Sequence, residues 1–137
     1  MSKKGPIIIV DDDSDDQELL ASTFDSIGIQ NKLIMFQSAE MALIYLYETK
    51  DQPFMIISDI NMPIMNGIEF KMRIDQCEIL TGKCIPFIFL STCGKPSEEK
   101  ACNLDIEGFF EKQNSLNALE HTLRTILNYW KLTRHIN

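Results

Sequence analysis

Cysteine is scarce in this chain and badly spaced for chemistry. Its 137 residues hold four, Cys77, Cys84, Cys93 and Cys102, with no Cys-x-x-Cys pair and no histidine cluster beside them. That pattern excludes a zinc ribbon and a disulfide scaffold and leaves reduced, structural thiols. Basic side chains are also few, 13 against 20 acidic, for a net charge of -7. The cationic face that nucleic-acid phosphates demand is therefore lacking, and so is one for an anionic membrane surface. Long apolar runs are missing too. Stretches such as Ile85 to Leu90 fall far short of the roughly 18 to 20 residues that span a bilayer. The apolar run after the two amino-terminal lysines stops at Asp11, too soon for a signal peptide. Six glycines and five prolines are scattered, so no linker divides the chain, and no internal repeat is visible. One cytoplasmic globular domain over residues 1–137 is expected.

What is present is a strict alternation. Ile7 to Val10 is short, wholly apolar and β-branched, as suits a strand buried on both faces. Ser14 with Gln17 three residues later reads as a capping box opening a helix. Leu20, Phe24 and Ile27 mark its apolar stripe, and Gly28 supplies a left-handed stop. Lys32 to Phe36 reads as a second strand, and Ser38 caps a helix that turns Ala42, Leu43 and Leu46 inward. Phe54 to Ser58 is a third strand, followed by the turn-rich stretch Asn61 to Gly67 and a helix through Phe70 and Ile74. Phe87 to Leu90 is a fourth strand, with a helix starting near Ser97. Gly108 to Glu111 is a short fifth, and a last helix from about Ser115 carries Leu119, Leu123, Ile126 and Trp130 on one face. Five such βα units predict an α/β fold, a doubly wound five-stranded parallel sheet of order 2-1-3-4-5 with five helices, flavodoxin-like in topology.

In such sheets the site lies beyond the carboxyl ends of the strands, where strand order reverses. Asp11 and Asp12 close the first strand, Asp59 the third, Ser91 and Thr92 the fourth, and Glu111 and Lys112 the fifth. Converging carboxylates repel and raise one another's pKa, a conflict that a divalent cation resolves; an all-oxygen set suits magnesium. Asp13, Asp15 and Asp16 read instead as favourable negative charge at a helix N-terminus.

Four strings lie in order along the chain: Val10-Asp11-Asp12, Ile57 to Gly67 (Ile-Ser-Asp-Ile-Asn-Met-Pro-Ile-Met-Asn-Gly), Leu90-Ser91-Thr92, and Phe110-Glu111-Lys112. Together they resemble the receiver domain of two-component response regulators, the CheY-like fold, over nearly the whole chain. The Leu-Ser-Thr string, the residue after the lysine and the pair Tyr129-Trp130 most resemble single-domain receivers that partner bacterial phytochrome kinases. The resemblance implies that Asp59 accepts a phosphoryl group from phosphohistidine, on a sensor histidine kinase or a histidine phosphotransfer protein. It implies Mg²⁺ (with Mn²⁺ as a substitute) on Asp12, Asp59 and the backbone carbonyl of Asn61, and on Asp11 through water. Lys112 would pair with the carboxylate first and the phosphoryl oxygens afterwards, and Ser91 would donate its hydroxyl to the phosphoryl group. Phe109 would be the switch aromatic, without a hydroxyl, and Thr92 would narrow access to Asp59. Gln113 stands where the family commonly has a proline. Residues 128–137 would extend the last helix, and Tyr129 and Trp130 would seat a homodimer.

A stand-alone signalling switch follows, not an enzyme beyond its own phosphorylation and dephosphorylation. The alternative is an interaction module that works without phosphorylation. An aspartyl-phosphate phosphatase would want a second acid where Asn61 stands, and a flavin carrier would want a Ser/Thr/Gly-rich loop after the first strand. Thr81-Gly-Lys-Cys84 lacks the rest of a P-loop. His121 and His135 read as solvated, and Met35, Met41, Met55, Met62, Met65 and Met72 as core and loop filler.

Overall fold

The computed structural model describes residues 5–92, 104–112 and 115–132, the last three of these by backbone alone. Five strands form one parallel sheet: β1 (Ile7–Val10), β2 (Leu33–Phe36), β3 (Met55–Ser58), β4 (Phe87–Ser91) and β5 (Gly108–Glu111). Their order is β2-β1-β3-β4-β5, as the alternation predicts. Register places Val10 beside Ser58, Ser58 beside Phe89, and Ser91 beside Glu111, so the chemistry-bearing strand ends share one edge.

The helices among the described residues are α1 (Ser14–Ile27), α2 (Ala39–Glu48), α3 (Gly67–Asp75), α4 (Glu78–Gly82) and α5 (Leu116–Leu132). The two-residue period of the strands sorts them into two cores. Ile8, Val10, Ile56, Phe87 and Phe89 face α2, α3 and α4. Ile7, Ile9, Met55, Ile57, Ile88 and Leu90 face α1 and α5, meeting Leu20, Phe24, Leu119, Leu123 and Ile126. Central strands β1, β3 and β4 are wholly buried, whereas the edge strands β2 and β5 are half exposed.

Three local expectations need correction. The cap of α1 is Asp13, whose carboxylate accepts from the backbone N–H groups of Asp15 and Asp16; Ser14 is already helical. Gln17 does not close a capping box. Its Nε2 is spent on two backbone carbonyls, those of Asp11 and Phe36, each at 2.9 Å, which ties α1 to the ends of β1 and β2. A short helix, α4, lies where none was predicted, packed on the core through Leu80. The helix expected near Ser97, Gln113, His135, Cys93 and Cys102 lie outside the described residues, as does the side chain of Trp130.

Gly28 is left-handed at φ 86° and ends α1, as expected. Ser38 caps α2 through its side chain. Asn66 and Glu69 form a capping box at the start of α3 that the sequence reading passed over.

Candidate phosphoacceptor site

The site is assembled from strand ends held by backbone bonds. The N–H of Asp59 donates to the carbonyl of Val10 at 2.9 Å, and that of Lys112 to the carbonyl of Ser91 at 2.9 Å. These bonds carry the ladders one residue past the strands, so Asp11, Asp59 and Lys112 are delivered by rigid backbone rather than by floppy loops. Gly67 closes the base of the loop after β3, its N–H donating to the Ile60 carbonyl at 2.8 Å. A Cβ there would lie 2.1 Å from the carbonyl oxygen of Asp59. Only glycine permits that approach.

One carboxylate oxygen from each of Asp11, Asp12 and Asp59 lies within 4.8 Å of the others, a group able to hold a divalent cation. Asp11 is 2% exposed and Asp59 8%, while Asp12 faces solvent. The cluster has a counter-charge in the lysine that the resemblance assigns to it. Lys112 Nζ reaches Asp11 Oδ2 at 2.6 Å, Asp16 Oδ2 at 2.7 Å and Asp59 Oδ2 at 3.5 Å. Asp16 is the residue that sequence reasoning missed. Its place in the first turn of α1 reads as helix-end charge and gives no hint of a partner just past β5.

The two oxygens of Asp59 are unequal. Oδ1 accepts from the Ile60 N–H at 2.8 Å and from the hydroxyl of wholly buried Ser91 at 2.9 Å. Among the described residues Oδ2 meets only the 3.5 Å approach of Lys112. Both oxygens of Asp11 are engaged, Oδ1 by the Asp13 N–H at 3.0 Å and Oδ2 by Lys112.

Burial works against charge on both members of the Asp11–Lys112 pair, with different outcomes. The Asp11 carboxyl is pushed up by burial, only partly offset by the bonds from Lys112 and the Asp13 N–H. Burial pulls Lys112 down, but its bonds to Asp11 and Asp16 and the charge of Asp59 prevail and hold it well above the ordinary lysine range. One amine serves three acids, which is why their attraction outweighs its burial.

Thr92 is exposed and lines a cleft of about 270 Å³ with Asp16, Leu20, Leu90, Lys112 and Leu119. Phe109 is half-buried on the opposite face of the sheet, 6.3 Å from Phe89 between ring centroids. Asn61 is exposed in the loop after Asp59. Tyr129 lies far from the cluster along α5, 59% exposed.

Residues 7–124 match the family described as the response regulator receiver domain. This chain belongs to that family. The receiver is 26% identical over 130 residues to response regulator Rcp1 of Synechocystis sp., covering 90% of this chain and 87% of that protein. It is 27% identical over 129 residues to the autoinducer 1 sensor kinase/phosphatase LuxN of Vibrio campbellii, covering 93% of this chain and 14% of that one. The receiver thus spans about one-seventh of LuxN's length. In structure it is similar to the phosphorylated cyanobacterial phytochrome response regulator RcpA, with TM-score 0.82, 23% identity and 95% and 96% of the two chains covered. The Mn²⁺-bound form of Rcp1 superposes with TM-score 0.78 at 23% identity, covering 96% and 98%. No helix of the described residues is long and apolar enough to cross a membrane.

Proposed function

We propose that this receiver takes a phosphoryl group onto Asp59 from a phosphohistidine of a sensor histidine kinase or histidine phosphotransfer protein. The observation that carries the reading is the asymmetry of Asp59. Two donors pin Oδ1, which fixes the plane of the carboxylate and leaves Oδ2 as the nucleophile. Oδ2 attacks phosphorus, an O–P bond forms, the P–N bond breaks, and the electron pair leaves with the imidazole nitrogen, which takes up a proton. Lys112 already stands beside Oδ2 and needs to move little to pair with a phosphoryl oxygen. Ser91 can transfer its hydroxyl bond from Oδ1 to the phosphoryl group, and Thr92 borders its approach.

The donor set fits Mg²⁺, with Mn²⁺ as a substitute, since it is all oxygen and compact. Asp12, Asp59 and the backbone carbonyl of Asn61 would hold the ion directly. Asp11 would hold it through water, in keeping with both its oxygens being engaged. The ion would neutralise charge between the carboxylates and the incoming phosphate. That Rcp1 has a Mn²⁺-bound form supports the choice of a divalent cation.

Phe109 would follow the phosphoryl group by repacking against Phe89, without a hydroxyl to trade. Tyr129, exposed beside a hollow between Phe110 and Ile126, would seat a second copy of the chain together with Trp130. Sedimentation should then give a dimer that Tyr129→Ala/Trp130→Ala converts to a monomer. A role as an interaction module that ignores phosphorylation is less favoured, because Asp11, Asp12, Asp59, Ser91 and Lys112 are all mutually engaged or adjacent. The cytoplasm is the compartment where a phosphohistidine donor would meet the receiver.

Acetyl phosphate with and without Mg²⁺, read by intact mass, tests the reading. A single Mg²⁺-dependent phosphoryl adduct is expected on the wild type and none on Asp59→Asn. An adduct that survives in Asp59→Asn would overturn the assignment.

A further inference from the structure

Lys112 presents three N–H donors to three carboxylates, and it does not share them evenly. Its contacts with Asp11 and Asp16 are short, 2.6 and 2.7 Å, whereas Asp59 stands off at 3.5 Å. Asp11 comes from the end of β1 and is almost wholly buried, so its grip is part of the fold. Asp16 is different. It lies in the first turn of α1, its side chain is 36% exposed, and it is not a member of the carboxylate group able to hold a cation. Nothing in the packing requires an acid there: α1 is already capped by Asp13, and Asp15 also supplies negative charge to its first turn. Asp16 borders the same cleft as the lysine, so room exists beside the ammonium for it to change partners.

We propose that Asp16 is a positioning residue that parks Lys112 on the α1 side of the site and so opposes phosphorylation of Asp59. This rests on the reading of Asp59 as phosphoacceptor. In the parked arrangement the ammonium is divided between Asp11 and Asp16. Once Asp59 carries a phosphoryl group, a dianion appears next to the lysine, and engaging it means giving up the Asp16 bond. The free energy of that bond is therefore subtracted from the stabilisation of the phosphorylated state. Charge acts in the same direction. With Asp11, Asp12, Asp16 and Asp59 ionised, Lys112 protonated and one divalent cation bound, the site carries -1, and replacing the Asp59 carboxylate by its phosphoryl dianion takes it to -2. Without the Asp16 charge these become neutral and -1. Asp16 thus weights the switch toward its unphosphorylated state through an interaction that neither cation nor phosphoryl group makes directly.

The test measures the phosphorylated fraction at steady state with acetyl phosphate and saturating Mg²⁺, in wild type, Asp16→Asn, Lys112→Ala and the double variant. Asp16→Asn should raise the ratio of phosphorylated to unphosphorylated protein about threefold to tenfold, as loss of one partly exposed charge-assisted bond would. Asp16→Glu, which can still reach the amine, should stay near wild type. In the Lys112→Ala background the gain from Asp16→Asn should fall to under half, because the parked lysine is gone. The affinity for Mg²⁺ in the absence of phosphate should change little in Asp16→Asn, which a general collapse of the site would not allow. No gain in Asp16→Asn, or an equal gain with and without Lys112, would overturn the proposal. A wild type that takes no label, or takes it on another residue, would overturn the Asp59 reading and this proposal with it.

Discussion

Lys112 is where most of the site's electrostatics meets. It is the described counter-charge for Asp11, Asp16 and Asp59, and its side chain is only 12% exposed. Its raised pKa means that its contribution to stability is fully present below the ordinary lysine value of about 10.4 and is lost only as pH climbs through the folded value. Across neutral pH it stays charged. Lys112→Ala should therefore cost roughly 2–4 kcal/mol in metal-free buffer, where three acids lose their partner. With Mg²⁺ added the cost should shrink, since the cation takes over part of the neutralisation; urea melts in chelator and in Mg²⁺ check both values. Glu107 makes a different residue-scale case. Its carboxyl accepts from the Phe87 N–H, yet burial pushes its pKa up, offset in part by that bond and by the charge of Lys71. A raised carboxyl pKa gives stability that is present below the unfolded value and lost as pH rises through the folded one. Glu107→Gln keeps the acceptor and cannot ionise. It should melt about one to two degrees above wild type at neutral pH, with the difference closing below about pH 4. The carboxyl is drawn in beside the Phe87 N–H, but the residue as a whole is exposed, so a larger gap is not expected.

At the scale of elements, the loop between β3 and α3 shows how tightly the site is built. Its two ends meet where Gly67 passes the backbone of Asp59. Gly67→Ala would place a Cβ 2.1 Å from the Asp59 carbonyl and 2.9 Å from Ile60 Cα, both backbone atoms with no slack. The expected cost is about 2–3 kcal/mol of stability. Phosphoryl acceptance should fall about tenfold to a hundredfold, because the clash displaces Asp59 itself. Urea denaturation and the acetyl phosphate rate measure the two effects separately. Within the same loop Ile64 is 91% exposed at φ 70°, a conformation that a β-branched residue adopts only under strain. Its neighbours Met62 and Met65 are buried, so the loop is anchored by methionines on either side of the strained residue.

For the whole molecule, the consequence of gathering Asp11, Asp12 and Asp59 at one sheet edge is coupling of fold stability to a divalent cation. Mg²⁺ at about ten times its Kd should stabilise by about 1.4 kcal/mol and raise the melting temperature by about 3–6 °C. Asp12→Ala should lose most of that shift while melting close to wild type without metal, because Asp12 is exposed and its side chain holds no other described residue in place. Scanning calorimetry of both proteins across a Mg²⁺ series is the check.

The alternation of apolar runs with capped, periodic stretches was enough to determine the strand order and both cores. That is because βα units with right-handed crossovers leave few ways to bury both faces of a sheet. It also determined that Asp11, Asp12, Asp59, Ser91 and Lys112 would meet, since each ends a parallel strand or lies within two residues of its end, and such ends share one edge. Local competition among neighbouring polar residues was not legible. Asp13 takes the cap from Ser14 because its carboxylate reaches two N–H groups, and Gln17 is drawn to two carbonyls that only the paired ends of β1 and β2 bring together. Asp16 is the deepest case. Its partner lies 96 residues away, and only the packing of α1 beside the end of β5 gives that helix-end carboxylate an amine to hold.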